Sequence, residues 1–89
     1  MPELVALTLQ EAMDFLKDHE RHYKSDATPL FAIGISLNGE LCGAAVVGVR
    51  GKDVELCHIY SVGEYGGYTA LYGATWRATK AMGYKRMIL

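Results

Sequence analysis

Apolar and polar positions repeat with different periods along this chain, and each change of period marks an element. Leu4 to Leu7 reads as a short strand. Thr8 then offers an N-cap, and Glu11 three residues on completes a capping box, so that two free amides of a helix start are satisfied reciprocally. Leu9, Ala12, Met13, Leu16 and Tyr23 fall on one helical face with charged residues opposite, which predicts a helix running to about Tyr23. Ser25 to Pro29 is a loop by composition.

Beyond that loop the period shortens. Leu30 to Leu37 is strand-like, and Asn38-Gly39 is a strong hairpin signal because both residues tolerate positive φ in a type I′ turn. Glu40 to Arg50 is the return strand, and its Gly43 and Gly48 predict a bulge or a close approach by another backbone. Gly51-Lys52-Asp53 turns the chain into a third antiparallel strand, Val54 to Tyr60.

After Ser61 the stretch Val62-Gly63-Glu64-Tyr65-Gly66-Gly67-Tyr68 leads into an amphipathic helix. Its predicted buried stripe is Leu71, Ala74, Thr75, Ala78 and Met82, with Arg77 and Lys80 facing out and Gly83 placed to end it. Tyr84 to Leu89 reads as a last strand, parallel to Val54–Tyr60 through a right-handed crossover. The expected architecture is one α/β (α+β) domain over residues 1–89, a mixed sheet in the order β-α-β-β-β-α-β.

Composition narrows the function classes. The chain has 89 residues, 51% of them hydrophobic, enough for a thin core to which a partner or ligand can add stability. The formal net charge is −1 and no basic run exceeds Lys85-Arg86, so the electrostatic footprint of a nucleic-acid binder is missing. Apolar runs fall far short of the roughly 20 residues that cross a bilayer, and Met1-Pro2-Glu3 does not open a signal peptide, which makes the cytoplasm the expected location. Cys42 and Cys57 sit in predicted strands as small buried hydrophobes. No metal site is expected, since His19 and His22 lack a third ligand.

The chemistry is expected between the third antiparallel strand and the helix after it. A strand that feeds a helix through a glycine-containing loop forms an anion site, because free N–H groups of the first turn point outward and the macrodipole favours negative charge there. Gly63, Gly66 and Gly67 would let a pyrophosphate approach the backbone closely. The loop is neither a P-loop nor a dinucleotide fingerprint, since no Gly-Lys-Ser/Thr follows and the glycine spacing differs. Taken alone, it reads equally as a connection without a ligand.

The order of elements and this loop resemble the GNAT (Gcn5-related N-acetyltransferase) superfamily, whose Gln/Arg-x-x-Gly-x-Gly/Ala loop cradles the coenzyme A pyrophosphate. Gly66 takes the central glycine place; Gly63 stands where Gln or Arg is usual, and Tyr68 where a small residue is usual. A closer similarity is to small GNAT-like proteins of phages and mobile elements. It rests on His19-x-Arg21-His22-x-Lys24, Phe31-x-Ile33-Gly34, Gly39-Glu40-Leu41-x-Gly43, Leu71-Tyr72-Gly73-Ala74-x-Trp76-Arg77-Ala78 and Met82-Gly83-Tyr84-Lys85-Arg86. GNAT domains usually continue past the last strand seen here with a helix and two more strands. The resemblance therefore implies a fold cut short after the strand that follows the central helix: a shortened protein, a fragment, or a subunit completed by a partner.

What the resemblance implies can be set beside ordinary structural readings. Glu55 would be the base that takes a proton from the acceptor amine, often through water, because a protonated amine has no lone pair to attack a thioester; otherwise it is a solvent-facing strand residue. Backbone groups of Ile59, Tyr60 and Ser61 would align the pantetheine arm like an added strand. Amides of Gly63, Gly66, Gly67, Tyr68 and Thr69 would hold the pyrophosphate. Regular alternation puts His58 and Tyr60 on one face and Glu55 with Cys57 on the other, unless a bulge intervenes. His19, Arg21 and His22, with Lys24, either contact the acceptor or simply offset the negative end of the first helix. Trp76 and Tyr72 read as core or interface residues, with Tyr65 and Tyr68 as the exposed exceptions.

The expected function is transfer of an acetyl group from acetyl-CoA, the one cofactor implied, to an unidentified amine without a covalent enzyme intermediate. The alternative is a catalytically inactive GNAT-like interaction module, favoured by Gly63 and Tyr68 in the loop. Either version admits a homodimer, because the last strand of an open sheet invites a second chain. Neither nucleic acid nor membrane is an expected partner.

Overall fold

Capping and turn chemistry set most element boundaries in the computed structural model, which describes residues 2–19, 26–62 and 67–88. Strand β1 (Glu3–Leu7) leads into α1 (Leu9–Asp18), followed by β2 (Thr28–Leu37), β3 (Glu40–Arg50) and β4 (Asp53–Ser61). Helix α2 (Gly67–Ala81) and the two-residue β5 (Met87–Ile88) complete the predicted order. The strands lie in the sheet in chain order, β1-β2-β3-β4-β5, with the first four antiparallel and β5 parallel to β4.

The capping box forms as the sequence requires: Glu11 N donates to Thr8 Oγ1 at 3.0 Å, and Thr8 N to Glu11 Oε1 at 2.8 Å. Asn38 (φ 54°) and Gly39 (φ 81°) both take the left-handed region, the signature of a type I′ turn. Helix α2 closes in a Schellman arrangement, with Tyr84 N donating to Thr79 O at 3.2 Å and Gly83 N to Lys80 O at 3.0 Å.

The two helices cover opposite faces of the sheet. Ala12, Phe15 and Leu16 of α1 pack on Ala32, Ala44 and Val46. Leu71 of α2 packs on Ile35 and Ala45, with Leu56 and Ile59 beside it. Alternate residues of β3 thus serve two separate clusters, which is how so short a chain builds two apolar layers.

Four expectations need correction. Helix α1 ends at Asp18 with His19 as its C-cap (φ −102°, ψ 18°), because the polar run Lys17-Asp18-His19 offers the sheet nothing apolar; Tyr23 lies outside the described residues. Thr28 and Pro29 join β2 instead of its preceding loop. The β1 ladder reaches only Ala32, so proline's missing donor faces no strand there. Strand β5 is confined to Met87–Ile88, since Tyr84–Arg86 turn off the Gly83 cap and Arg86 instead bridges to Asp53 (2.6 Å). Met82 is 51% exposed because it lies past the last helical residue, and Thr79 takes its place in the buried stripe.

Candidate functional site

The site begins with an irregularity in β4. Val46 pairs with His58 and Val47 with Leu56, so Cys57 is an extra residue opposite a single position of β3. The bulge resets the alternation. Glu55 opposite Gly48, His58 opposite Val46 and Tyr60 opposite Ala44 share one face, the side on which α1 packs. Leu56 and Ile59, three residues apart, both reach the α2 cluster, which a regular strand would not allow. The separation of Glu55 from His58 expected for a regular strand is therefore overturned.

Beside the bulge the sheet opens. The β4–β5 ladder covers Val54 with Met87 and Glu55 with Ile88. Just past it, Leu56, Cys57, His58 and Ile59 form one wall of a cavity of about 250 Å³, and Tyr68 from the first turn of α2 forms the other. That turn carries no acidic residue, so nothing on it opposes an anion at the helix N-terminus. Gly67 is buried, while Tyr68 and Thr69 are exposed. The exit from β4 is fixed by Val62 N, which donates to Cys42 O at 2.8 Å.

At the far end of β4 lies a second cavity, of about 490 Å³, lined by His19, Leu37, Asn38, Glu40, Leu41, Cys42 and Val62. His19 is held there by three contacts. Its ring lies 4.2 Å from that of Phe15 and 5.7 Å from that of Tyr60, centroid to centroid, and its Nδ1 is 2.9 Å from Phe15 O. A carbonyl oxygen only accepts, so Nδ1 is the donor in this contact.

Glu55 occupies the opposite end of the strand, roughly 15 Å from Tyr60 at the rise of extended chain. Its Oε1 accepts from Arg50 Nε at 2.7 Å across the Arg50–Asp53 turn. That hydrogen bond, and then the carboxylate's charge, raise the Arg50 pKa further above its ordinary value, so Arg50 stays charged throughout the working pH range.

No protein-family model matches this chain, and no curated protein matches it. Solved structures do. The ribosomal-protein-S18-alanine N-acetyltransferase from Escherichia coli superposes with a TM-score of 0.75 over 98% of this chain, at 15% identity. The ribosomal-protein-alanine N-acetyltransferase from Brucella melitensis biovar Abortus 2308 superposes with a TM-score of 0.72 over 99% of it, at 18% identity. The chain has an N-acetyltransferase fold. It spans 64% of the length of the Escherichia coli protein and 78% of the Brucella one.

Within this GNAT-like fold the predicted residues separate into three places. Ile59 and Tyr68 meet across the smaller cavity. His19 and Tyr60, expected on acceptor and cofactor respectively, are in ring contact. Glu55 lines neither cavity and is tied to Arg50. Gly63, Gly66, Arg21 and His22 lie outside the described residues. Cys57 was missed as a site residue; it is half-buried, and its Sγ donates to Glu55 O at 3.5 Å. The sequence signal for it was Gly48 on the neighbouring strand. Cys42 is half-buried too, where full burial was expected. Tyr72, expected in core or interface, is 37% exposed, while Tyr68 is exposed as predicted.

Proposed function

We propose that this chain binds an acyl-CoA and transfers its acetyl group to an amine. The observation that carries the reading is the cavity between the bulged stretch of β4 and Tyr68, placed where a strand gives way to an anion-favouring helix start. In this reading the amides of Gly67, Tyr68 and Thr69, with Gly63 and Gly66 before them, hold the pyrophosphate. The backbone of Ile59, Tyr60 and Ser61 lies along the pantetheine arm and orients the thioester. The acceptor comes in along the α1 face of β4, with His19, Arg21 and His22 toward one end of its path and Glu55, acting through water, as the base toward the other. The amine gives up a proton, its lone pair attacks the thioester carbonyl carbon, and the coenzyme A thiolate leaves and is protonated. Positioning and electrostatic stabilisation supply most of the rate. The two N-acetyltransferase neighbours support the chemistry at this level and leave the acceptor open.

The test is calorimetric titration with acetyl-CoA of the unmodified protein and of Thr69→Glu. An acidic residue in the first turn of α2 favours the helix dipole but repels a pyrophosphate. The variant should melt no lower than the parent and bind acetyl-CoA at least tenfold more weakly. Absence of binding to the folded parent protein would overturn the enzyme reading and leave the interaction module.

A further inference from the structure

Gly73 sits in the middle of α2, where glycine weakens a helix. Beyond the helix backbone, the atoms nearest the point where its side-chain carbon would lie belong to Arg77, Nη1 at 3.1 Å and Cζ at 4.0 Å. The missing side chain thus lets a guanidinium from one turn further on lie against the helix. Arg50 and Arg86 are each committed to a carboxylate, Glu55 and Asp53 respectively. Arg77 is exposed and pairs with no carboxylate of the described residues. It is an oriented cation with its charge unspent.

Arg77 overlooks a groove of about 360 Å³ between α2 and the outermost strand, β1. Ala74 and Arg77 form its wall, and Leu4, Val5 and Ala6, with Ile33 of β2, form its floor. Leu4 pairs with Ile35 and Ala6 with Ile33, both of which pack toward Leu71 of α2, so Leu4 and Ala6 stand on the α2 face. Both are exposed, Leu4 by 45%. β1 is the first strand of the sheet, so its outer edge presents unpaired N–H and C=O groups. Edges that are to stay single are commonly blunted by an internal charge, a proline or a bulge. From Leu4 to Leu7 β1 has no charge and no proline, and its ladder with β2 runs without a register shift. The helical repeat sets Ala74 and Arg77 on the other side of α2 from Tyr68 and Tyr72, away from the cavity against β4.

We infer that β1 and this groove form a docking site for an extended segment of a partner protein, which adds to the sheet as an outer strand and sets a carboxylate on Arg77. Ladder hydrogen bonds supply the affinity, and the side chains that alternate toward α2 supply the specificity. Those side chains are apolar over Ala6 and Ala74 and acidic at Arg77, whose guanidinium takes a carboxylate through two parallel N–H···O bonds. A second copy of this chain does not meet that requirement. In a symmetric antiparallel β1–β1 pair both copies keep the same face, so Glu3, the one acid of β1, stays on the α1 face, away from Arg77. The site is independent of the acyl-CoA reading and serves an enzyme and an inactive module alike.

The probe is a displayed library of random nine-residue peptides, selected in parallel on the whole protein and on Arg77→Glu, with both folds checked by circular dichroism. The parent should enrich alternating apolar residues with an Asp or Glu in register, and Arg77→Glu should enrich Lys or Arg in the acid's place. Peptides selected on the parent, resynthesised and titrated calorimetrically, should bind Arg77→Glu at least tenfold more weakly, the scale of a lost charged hydrogen bond. In amide NMR spectra they should shift β1 before any other strand. Gly73→Ala should melt higher than the parent and bind the same peptides more weakly, because the added methyl group displaces the guanidinium. A merely structural Arg77 predicts no such split. No enrichment on the folded parent, affinities indifferent to Arg77→Glu, or amide shifts that spare β1 each overturn the proposal. A dimer in sedimentation that Leu4→Lys dissociates also overturns it, giving the edge to a second copy.

Discussion

Cys57 Sγ stands 3.0 Å from the point where a side-chain carbon on Gly48 would lie, so the bulge of β4 and the glycine of β3 are two halves of one feature. Thr28 O and Ala27 Cβ crowd the same point at 2.9 and 3.0 Å. Gly48→Ala should therefore cost about 2 kcal/mol, the usual range for overpacking, and lower Tm by roughly 10 °C. Thermal melts check this. Adding Cys57→Ala should recover only part of the loss, because the Thr28 carbonyl remains.

Glu55→Gln separates base chemistry from ion pairing. The pair with Arg50 is exposed, and such pairs contribute little to stability. The variant should melt close to the parent, while acetyl transfer falls by about 10²-fold or more, as expected for loss of a general base. Unchanged turnover would remove Glu55 from the mechanism.

Thr8→Ala removes the acceptor for Glu11 N at the start of α1. The expected cost is about 1 kcal/mol. Urea denaturation should show a lower midpoint with an unchanged slope, since the surface exposed on unfolding is the same.

His19→Phe keeps an aromatic ring against Phe15 and Tyr60 and deletes both ring nitrogens. If His19 serves the acceptor, KM for an amine should rise while the Kd for acetyl-CoA stays put. Steady-state kinetics at saturating donor read the first quantity, and calorimetry reads the second.

Much of this fold was legible because it rests on local chemistry. The Thr8/Glu11 box, the Asn38-Gly39 turn and the Gly83 cap each follow from a few adjacent residues, and each appears where expected. The parallel placement of β5 follows from the crossover. Lengths were less legible. Strand β5 has two residues because the Gly83 cap and the Arg86–Asp53 pair decide how much chain reaches β4, and those are tertiary facts. The site was the least legible part. A bulge is a mismatch between two strands, so β4 alone, read by period-two alternation, sends Glu55 and His58 to opposite faces. Gly48 hinted at the close approach, but only pairing with β3 locates the extra residue at Cys57.

The chain-order sheet has a consequence for how the molecule comes apart. β2, β3 and β4 form a meander joined by tight turns, so its loop closures are short and can form early. β5 arrives only after α2, on a ladder of two residues. The α2–β5 unit is thus the one expected to detach first, exchanging its amide hydrogens while the meander stays protected. It also holds Tyr68, the far wall of the cavity against β4. A molecule captured there would be gripped by the least secure part of the fold, and its affinity and the docking of that unit become a single equilibrium.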